Sequence, residues 1–357
     1  MGTRRERRAA LATCLIELLR SNLQTLDRAM RDRRSSFRLL VACLIVTTWA
    51  AAATAAEFAV TSTDHGVAVT VDGQLFAEYR THSGHQPILW PVRDAGGRAM
   101  TRSYPVGPQQ EHEWDDHPHH RGLWFTHGNV NGHDFWLEVD RQHGSTPAKN
   151  NQIAHREFAK SEATDEGATI VAVSDWQVGD KRILTDQRTL QFGADGDLRW
   201  IDYAIELHAT DGEVVFGDTK EGAFSIRVPG TMKVDEKLGG QLINNHGQKN
   251  GDAWGREATW VNYTGPVDGQ PAGIAIFCHP DSTRCPTRWH VRTYGLFAAN
   301  PFALRDFPRD GDGVKQGPLT IPAGESATLR YLVLFHNGDL TAEQLNDWQK
   351  RFADGEL

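Results

Sequence analysis

The strongest constraint on the fold is an alternation of apolar and polar residues that recurs along most of the chain and is interrupted by turn residues rather than by helical segments. Asp72-Gly73 and Asp195-Gly196 each separate two alternating runs, which is the signature of a tight β-hairpin. Further alternating runs occupy residues 169–178, 213–228, 272–278, 288–299 and 327–336.

One segment, residues 341–352, predicts a helix, with Thr341 as N-cap and Gln344 completing a capping box. Many strands without alternating helices predict an all-β fold, a large antiparallel β-sandwich with one C-terminal helix. With no internal repeat and no linker, residues 57–357 are predicted to form a single domain.

The first 56 residues predict an N-terminal extension and a signal peptide. Residues 39–53 are apolar, arginines precede them, and Ala53-Thr54-Ala55 suits cleavage. The apolar stretch is short for a membrane span, so a retained anchor is the less favoured alternative and no stable membrane span is expected after cleavage. We therefore expect a periplasmic or secreted protein. Because this signal begins unusually late, Met30 is an alternative start, unless residues 1–29 form a basic amphipathic leader.

The charge balance excludes one class of partner. Residues 1–56 hold 10 of the 38 Lys and Arg and 4 of the 46 Asp and Glu, so 28 basic and 42 acidic residues remain, a formal net charge of −14. Nucleic acid is not expected as a partner, because phosphate binding needs a basic footprint. Cys278 and Cys285 are the two cysteines of this part. Export permits a disulfide between them, and two free thiols are the alternative.

Six of the sixteen histidines fall between His112 and His133, interleaved with carboxylates and aromatic residues. Such a set would be costly in an apolar core, because each buried polar group needs a partner. Three functions fit it: a divalent metal site that includes some of His112, His117, His119 and His127, general acid–base chemistry, and carbohydrate recognition by aromatic faces and polar groups. The spacing matches no established zinc pattern, so no metal ligand and no cofactor are assigned.

If this run forms a strand after Pro118, its side chains sort into two faces. One face would carry His119, Arg121, Leu123, Phe125 and His127, and the other His120, Gly122, Trp124 and Thr126.

A second run, residues 217–228, places charged groups on a strand. Alternation directs Phe224 and Ile226 to one face and Glu221 and Arg227 to the other. The charged pair is either a surface ion pair or a pocket-facing carboxylate beside a fixed cation.

A third run, residues 286–302, carries His290, Arg292 and Tyr294 on one face of a strand. Such a stripe is typical of a ligand-binding wall or of the solvated outer face of a sandwich. Asn300 begins the turn that follows.

Together, the runs at residues 117–136, 217–228 and 286–302 resemble an uncharacterised family of exported bacterial proteins labelled "methane oxygenase PmoA-like". A genuine methane monooxygenase subunit of this kind needs several apolar stretches of about 20 residues. The chain has one such stretch, in its signal, so that activity is excluded. The resemblance instead implies a β-sandwich similar to the galactose mutarotase superfold, whose members act on sugars with a histidine and a carboxylate in the concave face of a large sheet. Sugar epimerases of that superfold do not show the run at residues 116–121, so no residue roles are carried over from them.

The hypothesis from the sequence is an exported carbohydrate-active enzyme, a hydrolase, lyase or epimerase acting on a saccharide or a sugar-derived small molecule. A noncatalytic carbohydrate-binding or cell-surface module and a metal-dependent enzyme are the alternatives. Proton transfer is assigned to His119, His290 and Glu221. Substrate binding is assigned to His117, His120, Arg121, Trp124, His127, Asn131, Trp136, Arg227, Arg292, Tyr294 and Asn300, with the arginines neutralising negative charge.

Overall fold

The computed structural model describes residues 56–137, 151–307 and 317–357. The predicted signal peptide and the alternative start at Met30 lie outside the described residues. Within these ranges the chain forms 19 β-strands, two short 3-10 helices and one α-helix. The strands are β1 (Phe58–Thr63), β2 (Gly66–Val71), β3 (Gln74–Ser83), β4 (Gln86–Val92), β5 (Leu123–His127), β6 (Asn151–Thr164), β7 (Gly167–Val178), β8 (Lys181–Asp195), β9 (Leu198–His208), β10 (Val214–Phe216), β11 (Gly222–Arg227), β12 (Gln241–Asn244), β13 (Glu257–Ala258), β14 (Trp260–Val267), β15 (Gln270–Cys278), β16 (Thr287–Val291), β17 (Leu296–Ala299), β18 (Leu319–Ile321) and β19 (Ser326–His336). The helices are the 3-10 turns Gly230–Met232 and Asn250–Ala253 and α1 (Ala342–Asp354).

Two large antiparallel sheets form the body of the fold. The first has nine strands in the order β1-β2-β3-β4-β5-β11-β17-β16-β13, and the second has eight in the order β12-β14-β15-β19-β9-β8-β7-β6. Their apolar faces pack together: Phe76 of the first sheet contacts Phe192 and Phe335 of the second edge to face, and Phe224 stacks on Tyr331 with ring centroids 4.6 Å apart. The prediction of a large antiparallel β-sandwich is therefore confirmed.

Both predicted hairpins are present. Asp72 and Gly73 connect β2 to β3 with φ values of 53° and 74°, the left-handed pair that a type I′ turn requires. In the second hairpin Asp195 pairs with Leu198, so the two-residue loop begins one residue later than expected, at Gly196.

The C-terminal helix α1 is also as predicted. The Thr341 side chain accepts the backbone N–H of Gln344, whose side chain returns a bond to the backbone N–H of Thr341. Its apolar side packs on the eight-stranded sheet, where Trp348 contacts Trp200 at 5.4 Å between ring centroids. No helix among the described residues is long and apolar enough to cross a membrane.

Two local features settle points that the sequence left open. Cys278 and Cys285 form a disulfide, with their Cα atoms 6.0 Å apart.

Strand β5 begins at Leu123 and not at His119, because His117 and Gly122 have φ values of 44° and 61°, which an extended strand excludes. Gly122 is required there, since a Cβ would lie 2.2 Å from the backbone oxygen of Leu89.

Candidate functional site

The three polar runs of the sequence form adjacent strands of the nine-stranded sheet, in the order β5-β11-β17-β16. Ser225 pairs with Trp124 on one side and with Ala298 on the other, and Ala298 pairs with His290. Directly paired residues of antiparallel strands face the same side. These four residues therefore form a row across the outer face of the sheet, and runs far apart in the sequence meet there.

An irregular segment, residues 102–122, lies over this row and is held in place by two buried charged side chains. The guanidinium of Arg102, which is 1% exposed, donates to the backbone oxygens of Asp116 at 2.9 Å, His117 at 2.8 Å and His120 at 3.2 Å. The carboxylate of Glu113 accepts three backbone N–H groups of the same segment at 2.6 to 3.0 Å. The segment thus has a defined shape without regular secondary structure.

Asp116 is the electrostatic centre of the site. Its carboxylate accepts hydrogen bonds from Arg102 at 2.7 Å, from Arg227 at 2.9 and 3.1 Å, and from Nδ1 of His117 at 2.6 Å. Burial opposes ionisation, but the bond from His117 and the charges on Arg227 and Arg102 hold the pKa of Asp116 well below its usual range. Asp116 is therefore a carboxylate that fixes two cations and one imidazole.

His120 is a buried neutral imidazole. Nη1 of Arg227 lies 3.1 Å from its Nδ1, and because a guanidinium can only donate, Nδ1 accepts and the proton sits on Nε2. Burial, with the neighbouring charges of His119 and Arg227, keeps the pKa of His120 well below its usual value. The ring stacks on Trp124 and contacts Trp136 edge to face, each at 5.4 Å between centroids.

His119 belongs to the same buried cluster. It is 3% exposed, and its ring lies 4.3 Å from that of His120 and 5.9 Å from that of Trp136. Trp124 and Trp136 are each 1% exposed. These three side chains are therefore buried beneath the site, where the sequence predicts a proton-transfer role for His119 and substrate binding by Trp124 and Trp136.

His117 lies above this cluster and reaches the surface, with 38% of its side chain exposed. It is stacked between His120, at 4.8 Å, and Tyr294, at 5.1 Å with an angle of 9° between the rings. Since Asp116 is ionised, Nδ1 of His117 donates to it. The other nitrogen, Nε2, has no hydrogen-bond partner among the described residues.

Tyr294 shows where the charged groups converge. Burial raises the pKa of its hydroxyl, and four charges act on it: Arg227 and Arg292 lower the value, while Glu221 and Asp116 raise it. The Arg227 guanidinium lies 4.8 Å from the centre of the ring. Side chains from the three runs are thus within electrostatic range of one phenol.

His290 is fixed by the backbone that precedes β11. Its Nδ1 lies 2.7 Å from the backbone oxygen of Lys220, so Nδ1 donates and Nε2 carries the lone pair of a neutral ring. Burial, and then the charge of Arg292, lowers the pKa of His290 to about 3. The same Lys220 oxygen accepts Nδ2 of Asn300 at 2.9 Å, which places Asn300 in a positioning role. Lys220 forms an ion pair with Glu221, and both side chains are partly exposed.

Three predicted residues lie outside this arrangement. His127 is fully buried on the core face, donates Nε2–H to the oxygen of Gly217 at 2.8 Å, and has a pKa lowered by burial to about 4. Asn131 is exposed in a turn, where its amide bonds the backbone of residues 213 and 215. Arg121 is partly exposed, with Nη1 3.5 Å from Oγ of Ser83.

Four site residues were not singled out from the sequence: Arg102, Asp116, Lys220 and Trp254. Asp116 stood within the histidine-rich run, but an irregular loop has no periodicity from which its direction could be inferred. Trp254 follows the 3-10 helix Asn250–Ala253, and its ring lies 5.6 Å from the guanidinium of Arg292.

Asp134 is a further carboxyl near the site. Burial raises its pKa, and the negative charge of Glu221 adds to the effect.

Metal ligation was one of the open alternatives for the histidine cluster. In the part of the chain that the structure describes, no group of three or more His, Cys, Asp and Glu side chains is arranged to hold a metal ion.

A family model matches residues 66–349, a range that includes every strand of the two sheets except β1 and the whole site. The chain belongs to the family of unknown function DUF6807. The family model does not carry the "PmoA-like" label. No curated protein matches the sequence.

Solved structures similar to this family member include three carbohydrate-active enzymes. The α-galactosidase from Lactobacillus brevis has a TM-score of 0.38 and 8% identity, over 78% of this chain and 39% of that one. The galactosidase domain of an α-galactosidase–sucrose kinase has a TM-score of 0.31 and 10% identity, over 80% and 40%. A 4-α-glucanotransferase from Thermococcus litoralis has a TM-score of 0.29 and 11% identity, over 79% and 39%. The chain spans about two fifths of the length of each.

Proposed function

We propose that this protein is an exported carbohydrate-active enzyme, a hydrolase, lyase or epimerase that transfers protons with imidazole and carboxylate groups on the outer face of the nine-stranded sheet. The observation that carries the proposal is the meeting of four groups: a carboxylate-oriented histidine, His117, stacks on Tyr294, His117 also acts electrostatically on the buried ring of His290, and Glu221 acts on the same Tyr294. Three segments that are far apart in the sequence contribute these groups.

His117 takes the proton-transfer role that the sequence analysis gave to His119. The Asp116 carboxylate orients its ring through a 2.6 Å bond and stabilises the imidazolium that forms when Nε2 takes up a proton. His119 is buried beside it and supports the ring stack. A solvent-accessible, carboxylate-held imidazole is the better candidate for contact with a substrate.

His290 and Glu221 supply the second half of the acid–base chemistry. The ring of His290 is neutral above pH 3 and its Nε2 can accept a proton, while its Nδ1–H stays bonded to the backbone. Glu221 is the next residue after Lys220, whose backbone oxygen accepts hydrogen bonds from His290 and Asn300. The Glu221 carboxylate forms an ion pair with Nζ of Lys220.

A saccharide substrate is favoured by the aromatic surfaces beside these groups. Tyr294 and Trp254 are both partly exposed, and the aromatic rings of such side chains stack on the apolar face of a sugar ring. Arginine, histidine and carboxylate side chains around them supply donors and acceptors for hydroxyl groups.

The test is conversion of plant and algal oligosaccharides by the purified full chain, followed by mass spectrometry of the products. His117→Gln and His290→Gln should each lower kcat about 100-fold or more, because general acid–base catalysis contributes about 10² to 10⁴ in rate. His65→Gln, a change in the exposed turn between β1 and β2, is the matched control and should leave kcat unchanged.

Two results would overturn the proposal. Variants that alter only the affinity for a bound glycan, without any conversion, would favour the noncatalytic binding module. Failure of the folded chain to bind or convert any oligosaccharide would remove the carbohydrate assignment.

Periplasmic or secreted localisation remains part of the proposal. The disulfide between Cys278 and Cys285 supports it, because such bonds persist in oxidising compartments. N-terminal sequencing of the exported protein tests the cleavage after Ala55, and a product that retains residues 1–55 would contradict it.

A further inference from the structure

Arg292 differs from the other arginines of the site in having no acceptor. The guanidiniums of Arg102 and Arg227 are hydrogen-bonded to Asp116, to backbone oxygens or to His120. Among the described residues, no oxygen or nitrogen accepts a hydrogen bond from the Arg292 side chain. A guanidinium has five N–H donors in a fixed planar fork, so an unused fork beside the candidate proton-transfer groups is an available recognition element.

Aromatic rings hold this guanidinium in place. It lies 5.5 Å from the centre of the Tyr294 ring and 5.6 Å from that of Trp254, within the range of cation–π attraction. Contact with ring faces leaves the edge of the fork, where the N–H groups point, available for a ligand. Because the position is set by packing, little side-chain entropy remains to be lost on binding.

A second donor lacks an acceptor at the same place. Nε1 of Trp254 is buried and has no hydrogen-bond partner among the described residues. A buried indole N–H without an acceptor is unfavourable, since its desolvation is not compensated. Trp254 also contacts His290 edge to face, with ring centroids 6.4 Å apart, which puts this donor next to the candidate base.

The charges next to this pair of donors favour an anion as the missing acceptor. Arg292 and Lys220 both act on His290, whose ring contacts Trp254, and both are cations in a protein that is negative overall. A localised positive field of this kind attracts anionic ligands even when the net charge of the protein is negative.

We propose that the substrate is an acidic saccharide whose carboxylate or sulfate group binds between the guanidinium of Arg292 and the indole N–H of Trp254. The inference rests on the proposed carbohydrate-active function and narrows its substrate class. A carboxylate or a sulfate presents two oxygens in the geometry that the fork of an arginine matches, and charge-assisted bonds of this kind are about twice as strong as neutral ones.

The experiment measures binding of four probes to the purified full chain by calorimetry. The probes are an oligogalacturonide, its methyl ester, a sulfated galactan oligosaccharide, and the same oligosaccharide after desulfation. Each acidic probe therefore has a neutral counterpart with the same sugar ring, and the two pairs distinguish a carboxylate from a sulfate. At least one acidic probe should bind about 10- to 100-fold more tightly than its neutral counterpart.

Three variants test whether Arg292 and Trp254 cause the preference for acidic probes. Arg292→Gln should remove most of the 10- to 100-fold preference while the neutral probe keeps its affinity, and Trp254→Phe, which keeps a ring but lacks the N–H, should reduce the preference about 3- to 10-fold. Arg156→Gln is the control for loss of one positive charge, because Arg156 is exposed on β6 of the other sheet. Thermal unfolding of each variant separates lost recognition from lost folding.

The outcomes separate this inference from the proposed function. Equal affinity for acidic and neutral probes, or a preference that survives in folded Arg292→Gln, would overturn the acidic substrate and leave the carbohydrate assignment standing. Absence of binding by every acidic and neutral probe would count against the carbohydrate assignment itself.

Discussion

Asp116→Asn is the sharpest test of the electrostatic account, because the Asp116 carboxylate neutralises the guanidiniums of both Arg102 and Arg227. Each of these arginines is only 1% exposed. Asparagine keeps one oxygen, which can still accept from Arg102 or Arg227, but it turns an N–H₂ group toward the remaining donors. Removing one partner of a buried ion pair costs about 3 to 5 kcal/mol. Asp116 is 23% exposed and water can compensate in part, so we expect the lower end, about 3 kcal/mol.

The assay is urea and thermal unfolding of the full chain and of two variants. With an unfolding entropy of about 2.1 cal/mol/K per residue and about 300 folded residues, a loss of about 3 kcal/mol corresponds to a fall in Tm of about 5 °C. Asp115→Asn is the matched control, because Asp115 is the exposed neighbour and surface substitutions change stability by less than about 0.5 kcal/mol. If both variants lose equally little, Asp116 does not act as the counter-ion, and the orientation of His117 needs another explanation.

Two further outcomes follow from buried groups. Burial lowers the pKa of His127 and of His336 to about 4, so between pH 6.5 and pH 4 the unfolded chain binds protons that the native chain does not. The free energy of unfolding should therefore fall as the pH falls through this window, by up to about 1.4 kcal/mol per pH unit for each group, and a constant value in urea titrations would contradict this. Gly128→Ala places a Cβ 2.9 Å from Cβ of Glu221 and should cost about 1 to 3 kcal/mol. Gly251→Ala meets nothing within 4 Å and should cost less, and equal losses would show that residue 128 tolerates a side chain.

The alternation of side chains between the two faces of a β-strand made part of the site predictable. Along β11, alternation alone placed Phe224 and Ile226 on one face, and the structure buries both in the core between the sheets. The rule works here because each strand is buried against the second sheet on one side, which fixes its register. Turn chemistry was equally informative, as the hairpin at Asp72 shows.

The remainder depends on contacts that periodicity does not encode. The side-by-side placement of β5, β11, β17 and β16 joins segments far apart in the chain, and strand order is a property of the whole sandwich. The segment that carries Asp116 and His117 is shaped by Arg102 and Glu113, through bonds to backbone atoms that have no sequence signal. Trp124 and Trp136 are each 1% exposed, and their burial has no sequence signal, because a tryptophan facing outward from a sheet can be covered by a loop.

The arrangement also bears on which of the three reaction classes fits. Abstraction of a proton from the carbon beside a sugar carboxylate needs a neutral base and a cation that stabilises the charge developing on that carboxylate. His290 and Arg292 lie two residues apart at the end of one strand, and an anion bound to Arg292 offsets a charge that lowers the pKa of His290, so the base strengthens as the substrate binds. When Nε2 of His290 takes the proton, the electron pair of the C–H bond forms an enolate with the carboxylate. The enolate can expel a neighbouring oxygen, which takes a proton from Nε2 of the His117 imidazolium, or it can take that proton itself on the opposite face of the sugar. The first course is that of a lyase and the second that of an epimerase. Both courses begin at the neutral imidazole of His290 beside the guanidinium of Arg292, the proton acceptor and the cation that abstraction at this carbon needs.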